Sequence, residues 1–230
     1  MKSNILILRI YDQNVEYERL MKDVHIKNEQ NSVFVVYSKT ISADWEYDKE
    51  SRILHIRGEE TFIPGILNKT VKAIEICLLL FNFDILVRSN ISTVIDQVEL
   101  TNLLKSIDSL YIYGGPLNIM NYIADDAGVT SDVLKNIYGL KFISGTGIIL
   151  SRNLCEYLIS NKQFIYTSLI DDVALGALLR NFKINIISPF ICGPIYNPTS
   201  VFYRFKSSNR YNDIADIKIQ YSIINNVHCI

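Results

Sequence analysis

Asn4-Ile5-Leu6-Ile7-Leu8-Arg9-Ile10 and, after a polar stretch, Val33-Phe34-Val35-Val36-Tyr37 are the segments whose reading decides the fold. Both are apolar runs of strand length, and such runs suit buried strands. Between them Tyr17, Leu20, Met21 and Val24 recur at helical spacing. The result is a β-α-β opening, which implies a parallel sheet with crossover helices. In such sheets ligands bind beyond the carboxyl ends of the strands, so the site is expected there.

Outward from this unit the pattern continues. Arg52 to Arg57 alternates as a short strand, and Gly58 to Gly65 forms a loop into a buried helix from Ile66 to Leu80. Phe83 to Val87 reads as a strand, Gln97 to Ile107 as a helix and Leu110 to Tyr113 as a strand that the turn Gly114-Gly115-Pro116 ends. Phe142 to Leu150 is extended but broken by Gly145 and Gly147, and Ser151 caps a helix through Ile159. Asp171 to Leu179 reads as a helix and Ile184 to Ile187 as a strand, while the chain beyond Pro194 reads as loop. The expectation is one α/β domain over 1–230, Rossmann-like, with a mixed, mostly parallel central sheet flanked by helices. Residues 195–230 are expected to form a basic loop and tail that closes over the site.

Hydrophobic residues make up 49% of the 230 and charged ones 20%, which is a globular composition. The formal net charge of -1 provides no field for nucleic acid, so none is expected as a partner. The run at Asn4 to Ile10 is too short for a signal sequence or a membrane span, and a cytoplasmic location is expected. Cys77, Cys155, Cys192 and Cys229 are scattered, which suggests neither a zinc site nor a disulfide framework.

Four segments offer chemistry. In Phe83 to Ser92, period-two alternation puts Arg88 and Asn90 on one face at a strand's carboxyl end. This is either an anion-binding corner or an arginine exposed beside a polar turn. Ser144, Gly145 and Gly147 are small enough for a ligand to approach the backbone, and a β-bulge explains them equally. Asp171 and Asp172 open a helix. Helix capping explains one aspartate, while the second suits a general base for a sugar hydroxyl. Arg204, Lys206 and Arg210, interleaved with Tyr203, Phe205 and Tyr211, form either a solvated basic face or a clamp over phosphates.

In order and spacing these segments resemble the GT-A glycosyltransferases, particularly the fringe and β-1,3-galactosyltransferase group. The resemblance runs from about Gly58 to Gly176. Glu60 and Pro64-Gly65-Ile66-Leu67-Asn68-Lys69-Thr70 are similar to the family's acidic, Asn-Leu, Leu-Lys-Thr segment. Phe142 to Arg152 is similar to its small-residue stretch ending in Leu-Ser-Arg, the most specific match, and Asp171-Asp172-Val173 through Gly176 to its Asp-Asp-Val-x-x-Gly motif. Asn90-Ile91-Ser92 stands where the family has its acidic D-x-D motif.

The resemblance implies a GT-A-like fold and inverting transfer of a sugar from a nucleotide-sugar donor, UDP-linked, to a glycan or glycoprotein hydroxyl. Asp172 would be the base, with Asp171 beside it. Ser144, Gly145 and Gly147 would shape the donor-sugar pocket, and Lys69, Arg88, Asn90 and Ser92 would lie at the nucleotide or its phosphates. With neutral oxygens in place of carboxylates, no metal ligands are assigned, and Mn²⁺ or Mg²⁺ is not expected to be held tightly. Arg88, Arg204, Lys206 and Arg210 would supply the positive charge instead. His228 is similar in place to a late histidine that completes some metal sites, although a lone histidine is most often structural. Two rivals remain: a degenerate module that binds a nucleotide sugar or glycan without chemistry, and an unrelated doubly wound enzyme such as a phosphohydrolase.

Overall fold

In the computed structural model, which describes residues 4–229, strands β1 (Ile5–Ile10), β2 (Ser32–Ser38), β3 (Trp45–Asp48), β4 (Ile53–Arg57) and β5 (Ile85–Asn90) build half of the chain around one sheet. Helix α1 (Val15–Leu20), a π-helical turn Met21–His25 and α2 (Ile26–Asn28) cross from β1 to β2. The crossover is the β-α-β unit expected from the sequence, and β1 lies parallel to both β2 and β5. Helix α3 (Gly65–Leu80) then covers one face, burying Leu67, Ala73, Ile74, Ile76 and Cys77.

The remaining strands are β6 (Thr93–Ile95), β7 (Tyr113–Gly115), β8 (Leu117–Ile119), β9 (Lys141–Ile143), β10 (Ile148–Ser151), β11 (Ile186–Ile187), β12 (Phe190–Cys192) and β13 (Phe202–Arg204). The helices among and after them are α4 (Gln97–Lys105), α5 (Ser131–Ile137), α6 (Arg152–Ser160), α7 (Asp171–Leu178) and α8 (Arg210–His228). The central sheet runs β11-β7-β10-β5-β1-β2-β4-β3. It is mixed α/β as expected: β10 is antiparallel to β5 and β7, and β3 to β4. A smaller sheet, β12-β13-β6, stands beside the carboxyl end of β5.

Two expectations are corrected. Gly114 and Gly115 are not a turn after a strand; they are the last two residues of β7, where Gly114 pairs with both β10 and β11 and Gly115 with β11. Leu110 and Tyr111, expected in that strand, are exposed instead. The chain beyond Pro194 is not a loop and tail but contains β13 and the 19-residue helix α8. Asn209 caps that helix by accepting from the Tyr211 N–H, and Ile217, Tyr221 and Ile224, four and three residues apart, form its buried stripe.

Tyr221 ends in a polar network at the back of β5. Arg9 and Glu29, both fully buried, form an ion pair, and the Tyr221 hydroxyl donates to Glu29 at 2.7 Å. Arg9 also donates to the carbonyls of Asn90 and Thr93, and His25 Nε2 donates to that of Ile91 at 2.7 Å. The turn that follows β5 is thus tied to β1, to the first crossover and to α8. Burial raises the Glu29 carboxyl while Arg9 and His25 outweigh it, so its pKa lies well below the usual carboxylate range. Removing one partner of such a pair leaves an uncompensated buried charge. Glu29→Ala is therefore expected to lower unfolding free energy by about 3–5 kcal/mol in urea titration. Lys39→Ala, which breaks the exposed pair with Glu59, is expected to leave the midpoint unchanged.

Candidate functional site

Beyond the carboxyl ends of β1 and β5 lies a cavity of about 750 Å³. Strand ends, the β9–β10 turn, the start of α7 and the segment after β13 meet there. The structure brings together Lys69, Arg88, Asn90, Ser92, Ser144, Gly145, Asp171, Asp172, Arg204, Lys206 and Arg210 around this space. Of the residues singled out from the sequence for a donor site, Gly147 is not in the lining. A Cβ there would collide with the Phe202 ring, so this glycine serves packing between β10 and β13 rather than shaping a sugar pocket. His228 lies elsewhere, with Nε2 2.9 Å from Asp96, the residue that caps α4.

The two aspartates opening α7 have different surroundings. Asp171 is buried, 2.5 Å from the Arg88 guanidinium, and accepts from the Thr70 hydroxyl at 2.9 Å. Asp172 is half-buried and accepts from the backbone N–H of Gly145 at 2.9 Å and from that of Val173 at 2.8 Å. Burial and the neighbouring Asp171 charge push its pKa up to about 6, against the opposing pull of Gly145, Arg88 and Val173. Asp171 is thus committed to an ion pair, and of the two adjacent aspartates Asp172 is the one without a cationic partner among the described residues.

Arg88 is held by both terminal nitrogens: besides pairing with Asp171 it donates to the Gly145 carbonyl at 2.5 Å and to Asn90 Oδ1 at 2.9 Å, while its buried Nε has no partner among the described residues. A Cβ at 145 would stand 2.8 Å from the Arg88 guanidinium, so a side chain there would require the guanidinium to shift. Lys69 is buried and neutralised by Glu60, within 2.7 Å, and lies 5.0 Å from the centre of the Tyr37 ring. Arg210 pairs with Asp213 at 2.8 Å. Arg204 donates to the Thr146 hydroxyl at 2.7 Å, and neither it nor the exposed Lys206 has a carboxylate partner among the described residues. Burial, then Arg88, lowers the Arg204 pKa from its ordinary high value. The cavity's uncompensated positive charge sits at Arg204 and Lys206.

Sequence reasoning missed several lining residues. Tyr11, Asp12, Asn14 and Tyr17 follow β1, where the strand-end rule could have placed them. Thr146, between two singled-out glycines, holds Arg204. Phe62 lies within the singled-out stretch from Glu60 to Pro64 but is not itself singled out, while Asn118 and Phe190 come from segments that showed no signal. Among the described residues no cluster of three or more His, Cys, Asp or Glu side chains is arranged to hold a metal ion.

No protein-family model matches the chain, and no curated protein matches it. Among solved structures it is similar to a glycosyltransferase involved in the glycosylation of the major capsid of PBCV-1, over 94% of this chain and 99% of that one, at 8% identity and a TM-score of 0.49. It is also similar to the galactosyltransferase LgtC in complex with donor and acceptor sugar analogs, over 96% and 95%, at 11% identity and a TM-score of 0.44. Likeness of this degree leaves the functional reading to the cavity.

An uncompensated cation pair in a partly enclosed site favours a polyanion. Pyrophosphate is expected to bind the protein, and Arg204→Ala to weaken that binding about tenfold or more by calorimetry, the loss of a charge-assisted contact. Lys162→Ala, at an exposed pair with Glu75 remote from the cavity lining, is expected to leave it unchanged.

Proposed function

We propose that the protein is a GT-A-like glycosyltransferase that moves a sugar from a nucleotide diphosphate donor to an acceptor hydroxyl with inversion, without a tightly held metal. The observation that carries this reading is one cavity in which Asp172, a half-buried carboxylate with no cationic partner among the described residues, faces two cations without a carboxylate partner there, Arg204 and Lys206.

Sugar transfer of this kind needs a base at the acceptor and positive charge at the leaving group. Asp172 accepts the proton as the acceptor oxygen attacks the anomeric carbon. The bond from that carbon to the diphosphate breaks as the new one forms, so the configuration inverts. Negative charge gathers on the departing diphosphate, where Arg204 and Lys206 stabilise it without rearranging. With a pKa of about 6, Asp172 is ionised at neutral pH yet basic enough to take a proton. Lys69 and Arg88, expected at the phosphates, act instead as the internal partners of Glu60 and Asp171.

The donor set argues against Mn²⁺ or Mg²⁺ at Asn90. Its amide oxygen already accepts from Arg88, and a guanidinium at 2.9 Å repels a second cation there. Hard divalent ions take carboxylate oxygens, which this position lacks. A UDP-linked donor and a glycan or glycoprotein acceptor remain the substrates the sequence resemblance implies.

The test is transfer by Asp172→Asn. The reading expects turnover to fall at least 100-fold while the donor still binds, as for loss of a general base. Wild-type turnover is expected to decline as pH drops through about 6, because the carboxylate takes up its proton there. Undiminished transfer by the variant would refute the assignment. Tight donor binding with no transfer to any acceptor by the wild type would favour the binding-module alternative, for which the missing acidic motif speaks.

A further inference from the structure

The mechanism leaves one strongly buried pair without a role of its own. Arg88 and Asp171 are each about 2% exposed, and their charges meet at 2.5 Å between the end of β5 and the start of α7. Burying both is costly unless the pair is well hydrogen-bonded. Here most of that need is met: Thr70 of α3 donates to Asp171, and Arg88 donates to the Gly145 carbonyl and to Asn90, with its Nε left without a partner among the described residues. The next step along the chain is direct. Gly145, whose carbonyl Arg88 holds, also carries the N–H that donates to Asp172.

From these contacts, and resting on the transferase reading, we infer that Arg88 is a positioning residue: by holding Gly145 and Asp171 it leaves Asp172 as the one carboxylate of the acidic pair offered to the acceptor. The charge of the adjacent Asp171 is, after burial, the main influence that holds the Asp172 step up. The Arg88 cation on Asp171 offsets part of the repulsion that Asp172 feels. The side chains that bear on Asp172 are Asp171 on its own helix, Arg88 from β5, Arg204 from β13 and Tyr113 from β7. From α3, Thr70 reaches Asp171, while Lys69 is paired with Glu60.

The signs follow. Removing Arg88 takes away the charge that favours ionised Asp172, so the Asp172 step rises. Removing the Asp171 charge takes away the repulsion, so the step falls. A purely structural role would not move the two variants in opposite directions.

The experiment is a carboxyl ¹³C NMR titration of the free protein labelled at aspartate, with the Asp172 resonance assigned by its loss in Asp172→Asn. Wild type is expected to show a step near pH 6. Arg88→Met is expected to shift it up by about one pH unit or more, and Asp171→Asn to shift it down. Arg88→Lys, which restores the charge, is expected to return it close to the wild-type value. If Arg88→Met does not fold, Thr70→Val, which removes one donor from Asp171, is expected to give a smaller upward shift. A step that stays put in these variants, or moves the same way in Asp171→Asn as in the Arg88 or Thr70 variant, overturns the inference. Because the titration needs no donor or acceptor, it stands or falls independently of whether sugar transfer is ever seen.

Discussion

The buried ion pair of Arg88 and Asp171 is the constraint on which the rest of the site depends. It joins the central strand β5 to the start of α7, two elements far apart in sequence. Its geometry constrains its neighbours. A side chain at Gly145 would push against the guanidinium, whose nitrogen lies 2.8 Å from where a Cβ would stand, and Thr70 presents its hydroxyl toward the carboxylate. The pair also explains why two adjacent acids behave differently: one is neutralised, and the other keeps only backbone donors.

A second layer supports the first from behind. The Arg9–Glu29–Tyr221 network, with His25, binds the carbonyls of Asn90, Ile91 and Thr93. The turn after β5 is therefore held on its inner side by this network and on its cavity side by Arg88 acting on Asn90. Such a framework costs stability to build, since each charge must be stripped of water. Its benefit is a polar wall that need not reorganise as charge moves, which is the condition under which fixed dipoles and charges act most strongly on a reaction. The smaller β12-β13-β6 sheet completes the arrangement by bringing Arg204 to Thr146 across the cavity.

Much of this was legible in the sequence. The apolar runs at β1 and β2 and the helical spacing between them show the crossover, because burial on a sheet and on a helix imposes different periods. The cavity-facing set is legible too, since Arg88 and Asn90 alternate with buried residues at a strand end and Asp171-Asp172 open a helix. What stayed hidden is partnership. Nothing local shows that Arg88 meets Asp171, 83 positions later, or that Lys69 is taken by Glu60. An unpaired and a paired cation look the same in a sequence. Short strands such as β12 and β13 also escaped notice, because three residues are too few to show a period, and Gly114-Gly115 were misread because pairing with β10 and β11 outweighs their weak strand preference. Helix α8 was missed although its buried stripe is regular; its polar residues and basic start drew attention to charge instead.

The central claim is that this cavity binds a nucleotide sugar through the protein's own cations, with neutral side chains rather than metal-binding carboxylates at Asn90 and Ser92. Ligand that binds the folded state raises its melting temperature by mass action. The most direct test is therefore thermal unfolding of the wild-type protein across a panel of nucleotide sugars, in EDTA and again in Mn²⁺. The account predicts at least one nucleotide sugar that raises Tm by the same amount in both, and a shift that appears only when Mn²⁺ is present would contradict it.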